Sequence, residues 1–198
     1  MATPDESPLN LAIVVPLKGF AAAKDRLSGA LAAGEREALA RRLATQVLTV
    51  ACAIDDAQVI VVSDDNEILK WSHSLGAIAL RQSSAGLNGA VSDARRDAAH
   101  RGFDHVLVIH GDLVDPAPLV SLCANLGRGV VTLVADRHGD GTNVLALPLS
   151  ADFDTHYGSG SFTAHLDEAT RRGLTTRIVG DSRLALDVDV PADLDLLT

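Results

Sequence analysis

Cysteine, aromatic side chains and positive charge are all scarce in this sequence. Its 198 residues hold two cysteines, Cys52 and Cys123, too few for a disulfide framework and without metal-ligand spacing. One Trp, one Tyr and four Phe leave little for stacking on nucleic-acid bases. Lys and Arg number 17 against 26 Asp and Glu, a formal net charge of −9. A chain this acidic lacks the electrostatic footprint of a nucleic-acid binder. No apolar run reaches the roughly 18 residues of a membrane-spanning helix. Met1–Asn10 is polar and acidic, without the basic start and apolar stretch of a signal peptide, and is expected to be flexible. These absences point to a cytoplasmic chain with no membrane and no nucleic-acid partner. Two phosphate-binding signatures are also missing: there is no G-x-x-x-x-G-K-[ST], and no G-x-G-x-x-G follows a strand-like run.

What is present is enough apolar residue, 47%, to build one core from residues 1–198. Short β-branched runs occur at Leu11–Val15, Gln58–Val62, Ala77–Leu80, Val106–Ile109, Val130–Val134 and Val144–Leu147. Several are apolar without alternation, as strands covered on both faces should be. Helical patterns separate them. Leu39, Leu43, Val47, Val50 and Ile54 fall on one face of a helix over Glu35–Ile54. Asp64 is the N-cap candidate for a helix reaching Leu75. Others are expected over Asn88–His100 and from Pro116. The alternation predicts a single-domain α/β fold with a mainly parallel sheet flanked by helices. Ligands of such sheets bind beyond the carboxyl ends of the strands, so the residues there carry the functional reading.

After the first strand, Leu17 to Gly34 forms a long connection with three cations, Lys18, Lys24 and Arg26, which either hold phosphates or decorate a solvated loop. After the third, Gly86 permits close ligand approach. Asn88 offers a donor and an acceptor to a base edge, or else caps a helix. Val106–Ile109 runs straight into His110-Gly111-Asp112-Leu113. Asp112 is placed to hold Mg²⁺ or to cap the next helix, and His110 reads as structural. Asp136–Asn143 has strong turn chemistry, with Thr142 and Asn143 entering the next strand. Tyr157–His165 brings Gly and Ser to a helix start, an anion-binding arrangement. Leu184–Val190 reads as a short strand. Its Asp187 and Asp189 share one face and can join Asp112 around a metal above a triphosphate.

Several segments together resemble the phosphoacid guanylyltransferases of coenzyme F-420 biosynthesis. They are Val15-Pro16-Leu17-Lys18, Ala23-Lys24-Asp25-Arg26-Leu27, Gly86-Leu87-Asn88, His110-Gly111-Asp112-Leu113, Asp136-Arg137 with Asp140-Gly141-Thr142-Asn143, Tyr157-Gly158 with Gly160-Ser161-Phe162, and Leu186-Asp187-Val188-Asp189. The resemblance runs from Leu11 to Leu197. It implies a Rossmann-like, nucleotide-diphospho-sugar transferase-like fold. It also implies transfer of GMP from GTP to 2-phospho-L-lactate, phosphoenolpyruvate or 3-phosphoglycerate. Carried over position by position, Asp112, Asp187 and Asp189 would bind Mg²⁺. Lys18, Lys24 and Arg26 would join Asp112 in catalysis by neutralising the triphosphate. Pro16, Leu17, Lys18, Gly86, Asn88 and Asp112 would contact the nucleotide. Thr142, Asn143, Gly158 and Ser161 would hold the phosphoacid. A downstream phospho-transferase is the implied transient partner, and a homodimer stays open. Two positions depart from the family pattern: Asp25 stands in place of Ser, and Val114 in place of Pro.

Two rival readings remain. One is a sugar-phosphate or molybdopterin nucleotidyltransferase, or a sugar transferase using Asp187-Val188-Asp189. Against the nucleotidyltransferases, Lys18-Gly19-Phe20-Ala21-Ala22 replaces their Gly-rich G-x-G-T-R loop. The other is a nucleotide-binding relative without turnover, which the retained carboxylates oppose.

Overall fold

The computed structural model describes residues 9–197. Residues 1–8 of the expected flexible start lie outside the described residues. Asn10 is tied down: its carbonyl accepts from Asp104 N at 2.8 Å, and its Nδ2 donates to Gly102 O at 2.8 Å.

Strands β1 (Leu11–Pro16), β2 (Ala57–Ser63), β3 (Ile78–Arg81) and β4 (His105–Ile109) lie parallel in the order β3-β2-β1-β4. The sheet continues through β6 (Thr142–Pro148), β5 (Val130–Ala135) and β7 (Thr175–Ile178). β6 is antiparallel to both neighbours, and β7 is parallel to β5. Helices α1 (Ala33–Cys52), α2 (Asn66–Ser74), α3 (Gly86–His100), α4 (Leu119–Ala124) and α5 (Ser161–Arg171) cover the faces. Among the described residues no helix is long and apolar enough to cross a membrane.

Alternation along β1 divides the core. Leu11, Ile13 and Val15 join Val47 and Leu48 of α1, Ile68 of α2 and Leu119 of α4. Ala12 and Val14 join Val91 and Ala94 of α3 and Ala169 of α5. Burial on both faces explains the non-alternating runs, and each large side chain so buried contributes roughly 1.5–3 kcal/mol. A third, smaller cluster joins Leu27, Leu39, Leu43 and Val188. It fastens the loop after β1 and the C-terminal segment to the same side of α1.

Local details differ from the sequence reading. The cap of α2 is Asp65, not Asp64; its Oδ1 accepts from Glu67 N at 2.7 Å and Ile68 N at 3.2 Å. α3 starts at Gly86, so Asn88 is not its cap. Asp93, from inside that helix, accepts from Ser83 N and Ser84 N and fixes the β3–α3 turn. Leu184–Val190 is not a strand. Only Asp187 makes a bridge, to Leu113, because Val188 turns into the third cluster instead of extending the sheet. β7 was not expected: Thr-Thr-Arg-Ile carries no apolar pattern, its four residues are exposed, and it is a strand through edge pairing alone.

α5 is seated by a buried polar network. His165 is fully buried, accepts at Nε2 from His156 N at 2.9 Å, and so carries its proton on Nδ1, 3.0 Å from Thr142 Oγ1. Buried Glu168 accepts from Asp154 N and from Arg172 Nε.

Leu27→Ala should cost about 3 kcal/mol in urea unfolding; a loss below about 1 kcal/mol would show that the loop is not pinned there. Burial, with His156 and His110 nearby, pushes His165 down to about 4 from an ordinary 6.5. The unfolded chain therefore takes up this proton first. The contribution of the neutral ring is fully present above about pH 6.5 and is lost as pH falls toward 4, in all roughly 3 kcal/mol. Unfolding free energies measured from pH 7 to 4 should fall more steeply for the native chain than for His165→Asn. Equal slopes would refute a neutral buried His165.

Candidate active site

Strand order reverses between β1 and β4: β1 is followed by β2 on one side, while β3 leads across to β4 on the other. The crevice beyond their carboxyl ends is the fold's natural binding position. The loop after β1 and the His110–Leu113 segment after β4 meet there. They pass so closely at Gly111 that a Cβ would stand 2.3 Å from the Leu17 side chain. A side chain at that point would force the tip of Leu17 to move.

Lys24 connects three pieces of chain. Its backbone is left-handed, φ 62° and ψ 33°, an uncommon conformation for a residue with a side chain. The ammonium donates to Asp112 Oδ2 and to the carbonyl of Val188, and lies 3.5 Å from Asp189 Oδ1. Its side chain is only 7% exposed. The third piece, Asp187–Asp189, is held by the burial of Val188 and by the bond from Val114 N to Leu186 O at 2.9 Å. Asp193, unremarked in the sequence, accepts from Asp189 N at 2.7 Å and Val190 N at 2.8 Å, and also takes the Arg137 guanidinium. A Pro followed two residues later by Asp is the helix-start signal that could have found it.

The electrostatics are those of crowded carboxylates. Burial works against the charge on Lys24, but Asp112, Asp189 and Asp187 outweigh it and hold the ammonium above its ordinary range. Burial likewise opposes ionisation of Asp112, yet Lys24 and His110 keep its carboxyl below the usual range. Among the described residues no such cation contacts Asp187. Burial, then Asp112 and Asp189, push it up to about 6.

His110, Asp112 and Asp187 each offer a ligand atom, and these atoms lie within 4.8 Å of one another. Asp112 Oδ1 and His110 Nε2 are buried without a hydrogen-bond partner. Two converging carboxylates, one with an unpartnered buried oxygen, fit a divalent cation, which prefers oxygen donors of this kind. Asp189 stands apart from this group. It is half-exposed and pairs with Lys24 and, at 3.6 Å, with Arg26.

The other expected residues fall into three situations. Lys18 and Arg26 are exposed on the loop, and Pro16 and Leu17 are half-buried at its root. Gly86 (φ 75°) and Gly158 (φ 140°) are exposed, with nothing within 4 Å of where a Cβ would stand. The side chains of Asn88, Thr142, Asn143 and Ser161 are engaged within the protein. Asn88 donates to Tyr157 O at 3.1 Å and accepts from Tyr157 N at 2.7 Å. Asn143 Nδ2 reaches Leu184 O at 3.2 Å, and Ser161 Oγ donates to Thr142 Oγ1 at 3.4 Å. At the start of α5, Ser161 N and Phe162 N already donate to Gly158 O and Asp140 O. Tyr157, part of the motif that carries the resemblance but given no role from sequence, links these segments to the strand-end site. Its backbone is fixed by Asn88, and its ring lies 5.7 Å from that of His110 and 4.9 Å from that of His165.

Residues 11–198 match the family described as Guanylyl transferase CofC like. Phosphoenolpyruvate guanylyltransferase of Sphaerobacter thermophilus is 38% identical over 187 residues, 93% of this chain and 90% of its own. 2-Phospho-L-lactate guanylyltransferase of Methanothermobacter thermautotrophicus is 34% identical over 184 residues, 91% of this chain and 81% of its own. The crystal structure of a Desulfovibrio desulfuricans protein assigned to the nucleotide-diphospho-sugar transferases superposes with a TM-score of 0.80 at 18% identity, covering 96% of this chain and 86% of its own. At that identity it speaks for the fold alone. The family match, by contrast, runs from the first strand through every strand-end segment to the last residue, and the chain belongs to the CofC-like guanylyltransferases.

Proposed function

We propose that this chain transfers GMP from GTP to the phosphate of a small phosphoacid in coenzyme F-420 biosynthesis. Phosphoenolpyruvate, 2-phospho-L-lactate and 3-phosphoglycerate are the candidate acceptors. The observation that carries the reading is the meeting of Lys24, Asp112 and Asp187 at the switch between β1 and β4, in a chain whose relatives are named for this transfer.

The chemistry asks little of a general base. The acceptor phosphate is already ionised, so one of its oxygens attacks the α-phosphorus in line. The bond to the β-phosphate oxygen breaks, and pyrophosphate leaves. Catalysis then rests on positioning and on charge neutralisation. Asp112 and Asp187 would hold Mg²⁺ together with Asp189, once Asp189 turns from Lys24 and Arg26 toward them, and the ion would supply positive charge to the triphosphate. Lys18 and Arg26, exposed on the loop, neutralise the β- and γ-phosphates. Lys24 keeps the carboxylates together and lends its charge to the same region.

Pro16, Leu17, Gly86 and Asn88 line the nucleotide side. The phosphoacid lies toward Gly158 and Ser161, where the open backbone at Gly158 gives room for close approach. Thr142 and Asn143 serve from behind. Thr142 braces His165 and Ser161, and Asn143 braces Leu184. The product, a mixed anhydride of GMP and the phosphoacid, is expected to pass to a downstream phospho-transferase.

The test is pyrophosphate release from GTP and Mg²⁺ with each of the three phosphoacids, with CTP and UTP as controls. Release with GTP and at least one acceptor is expected; release with no acceptor would sink the proposal. Asp112→Ala should lower turnover by at least about 100-fold, and activity within a few-fold of the native chain would remove Asp112 from the site. Lys24→Met should cost about 3 kcal/mol in denaturant unfolding without metal, because it leaves the mostly buried Asp112 carboxylate without its cation. Added Mg²⁺ should restore part of that loss, and a variant as stable as the native chain would contradict the role given to Lys24.

A further inference from the structure

Resting on the guanylyltransferase reading, we propose that His165 is a positioning residue for the phosphoacid. From inside the protein it orients the Thr142 and Ser161 hydroxyls and the backbone leading to Gly158, and so sets how tightly the acceptor anion is held.

Ser161 and His165 stand four residues apart on α5 and share one face of it. That face meets Thr142, the first residue of β6, and all three residues are buried. His165 Nδ1 lies 3.0 Å from Thr142 Oγ1, and Ser161 Oγ lies 3.4 Å from the same oxygen. The other ring nitrogen, Nε2, accepts from His156 N at 2.9 Å. His156 is two residues before Gly158. The chain just ahead of it is held from the same helix, where Glu168 accepts from Asp154 N at 3.2 Å. The rings of Tyr157 and Phe153 pack against the imidazole at 4.9 and 6.0 Å. One buried ring therefore ties the approach to Gly158 to both hydroxyls.

The proton directions follow from these bonds. A ring whose Nε2 accepts carries its proton on Nδ1, so it donates to Thr142 and can take nothing from it. A hydroxyl has one proton to give and two lone pairs. Thr142 Oγ1 accepts from both His165 and Ser161. A phosphate or carboxylate offers only acceptors. When it takes the Ser161 proton, Thr142 turns its own proton onto Ser161 Oγ, while His165 still fills the lone pair behind. The donors then all point one way, from His165 through Thr142 and Ser161 to the anion, where a charged acceptor strengthens the last bond. A side chain that accepted at the Nδ1 position would draw the Thr142 proton inward and break this chain of donors.

The test is steady-state turnover of the full chain with GTP, Mg²⁺ and whichever phosphoacid supports pyrophosphate release, for the native protein, His165→Asn and His165→Gln. The shorter amide can put an N–H where Nδ1 stands, toward Thr142. The longer one reaches the Nε2 position and abandons Thr142. His165→Gln should raise the phosphoacid KM about tenfold, with kcat and the GTP KM near native, and His165→Asn should recover most of that loss. Equal effects of the two variants, or equal shifts in both KM values, would mark a merely structural role and overturn the proposal. Nuclear magnetic resonance of the native chain, isotopically labelled at its histidine nitrogens, decides the matter even if neither variant folds. The His165 ring should carry its proton on Nδ1, and that N–H signal should move when the phosphoacid is added beside Mg²⁺ and a GTP analogue that cannot transfer. A proton on Nε2, or a signal unmoved at saturating phosphoacid, would overturn the proposal and leave guanylyl transfer standing. No pyrophosphate release with any phosphoacid would instead bring down the guanylyltransferase reading and the proposal with it.

Discussion

The buried ammonium of Lys24 is the contact on which the site depends. It belongs to the loop after β1, yet its partners are Asp112 after β4 and the Val188–Asp189 stretch near the C-terminus. Without a cation at their centre, three carboxylates from two distant segments would repel one another in a half-buried crevice. With it, each holds the other in place. An isolated ion pair in such a setting often returns little net stability. What it supplies here is location, because one ammonium joins the loop after β1, the segment after β4 and the C-terminal stretch.

Apolar packing makes that arrangement reachable. Leu27, three residues after Lys24, and Val188, between the two acidic residues, insert into one small cluster against Leu39 and Leu43 of α1. The alternation in Asp187-Val188-Asp189 is therefore inward–outward at a cluster rather than across a sheet. The close passage of Gly111 and Leu17 completes the floor. Charge thus gathers locally in a chain whose net charge is −9. The loop cations and a carboxylate-bound divalent ion, rather than the overall sign of the protein, would meet an anionic nucleotide.

Much of the fold is legible from sequence. The apolar runs at Leu11, Gln58, Val106, Val130 and Val144 are strands because burial on both faces demands unbroken β-branched residues, a pattern with few alternatives. The Leu39–Leu43–Val47 face marks α1 for the same reason. Thr175–Ile178 escapes because an exposed edge strand is defined by its neighbour's hydrogen bonds and not by its own side chains. Leu184–Val190 misleads in the opposite sense. Its alternation is real, but the buried side chain joins α1 instead of a sheet. The Asp64–Asp65 pair shows the limit of local chemistry, since two identical cap candidates differ only in backbone geometry.

The candidate site divides along the same line. Residue types at the strand ends can be read from the chain alone: cations after β1, a carboxylate after β4, an acidic pair near the C-terminus, and Gly and Ser before α5. This is possible because strand ends are set by apolar runs, and motif order survives along a chain. Which of these residues touch is settled by the packed fold. It placed Lys24 among the carboxylates rather than free for phosphate. It brought His110 to Asp112 and Asp187 while Asp189 went to Lys24 and Arg26. It turned Thr142 and Asn143 inward, and it made Tyr157 the link between the Asn88 and Ser161 segments. The physical reason is that contact between residues far apart in sequence depends on how loops are packed and bonded across the sheet. The spacing of residues along the chain carries no record of that.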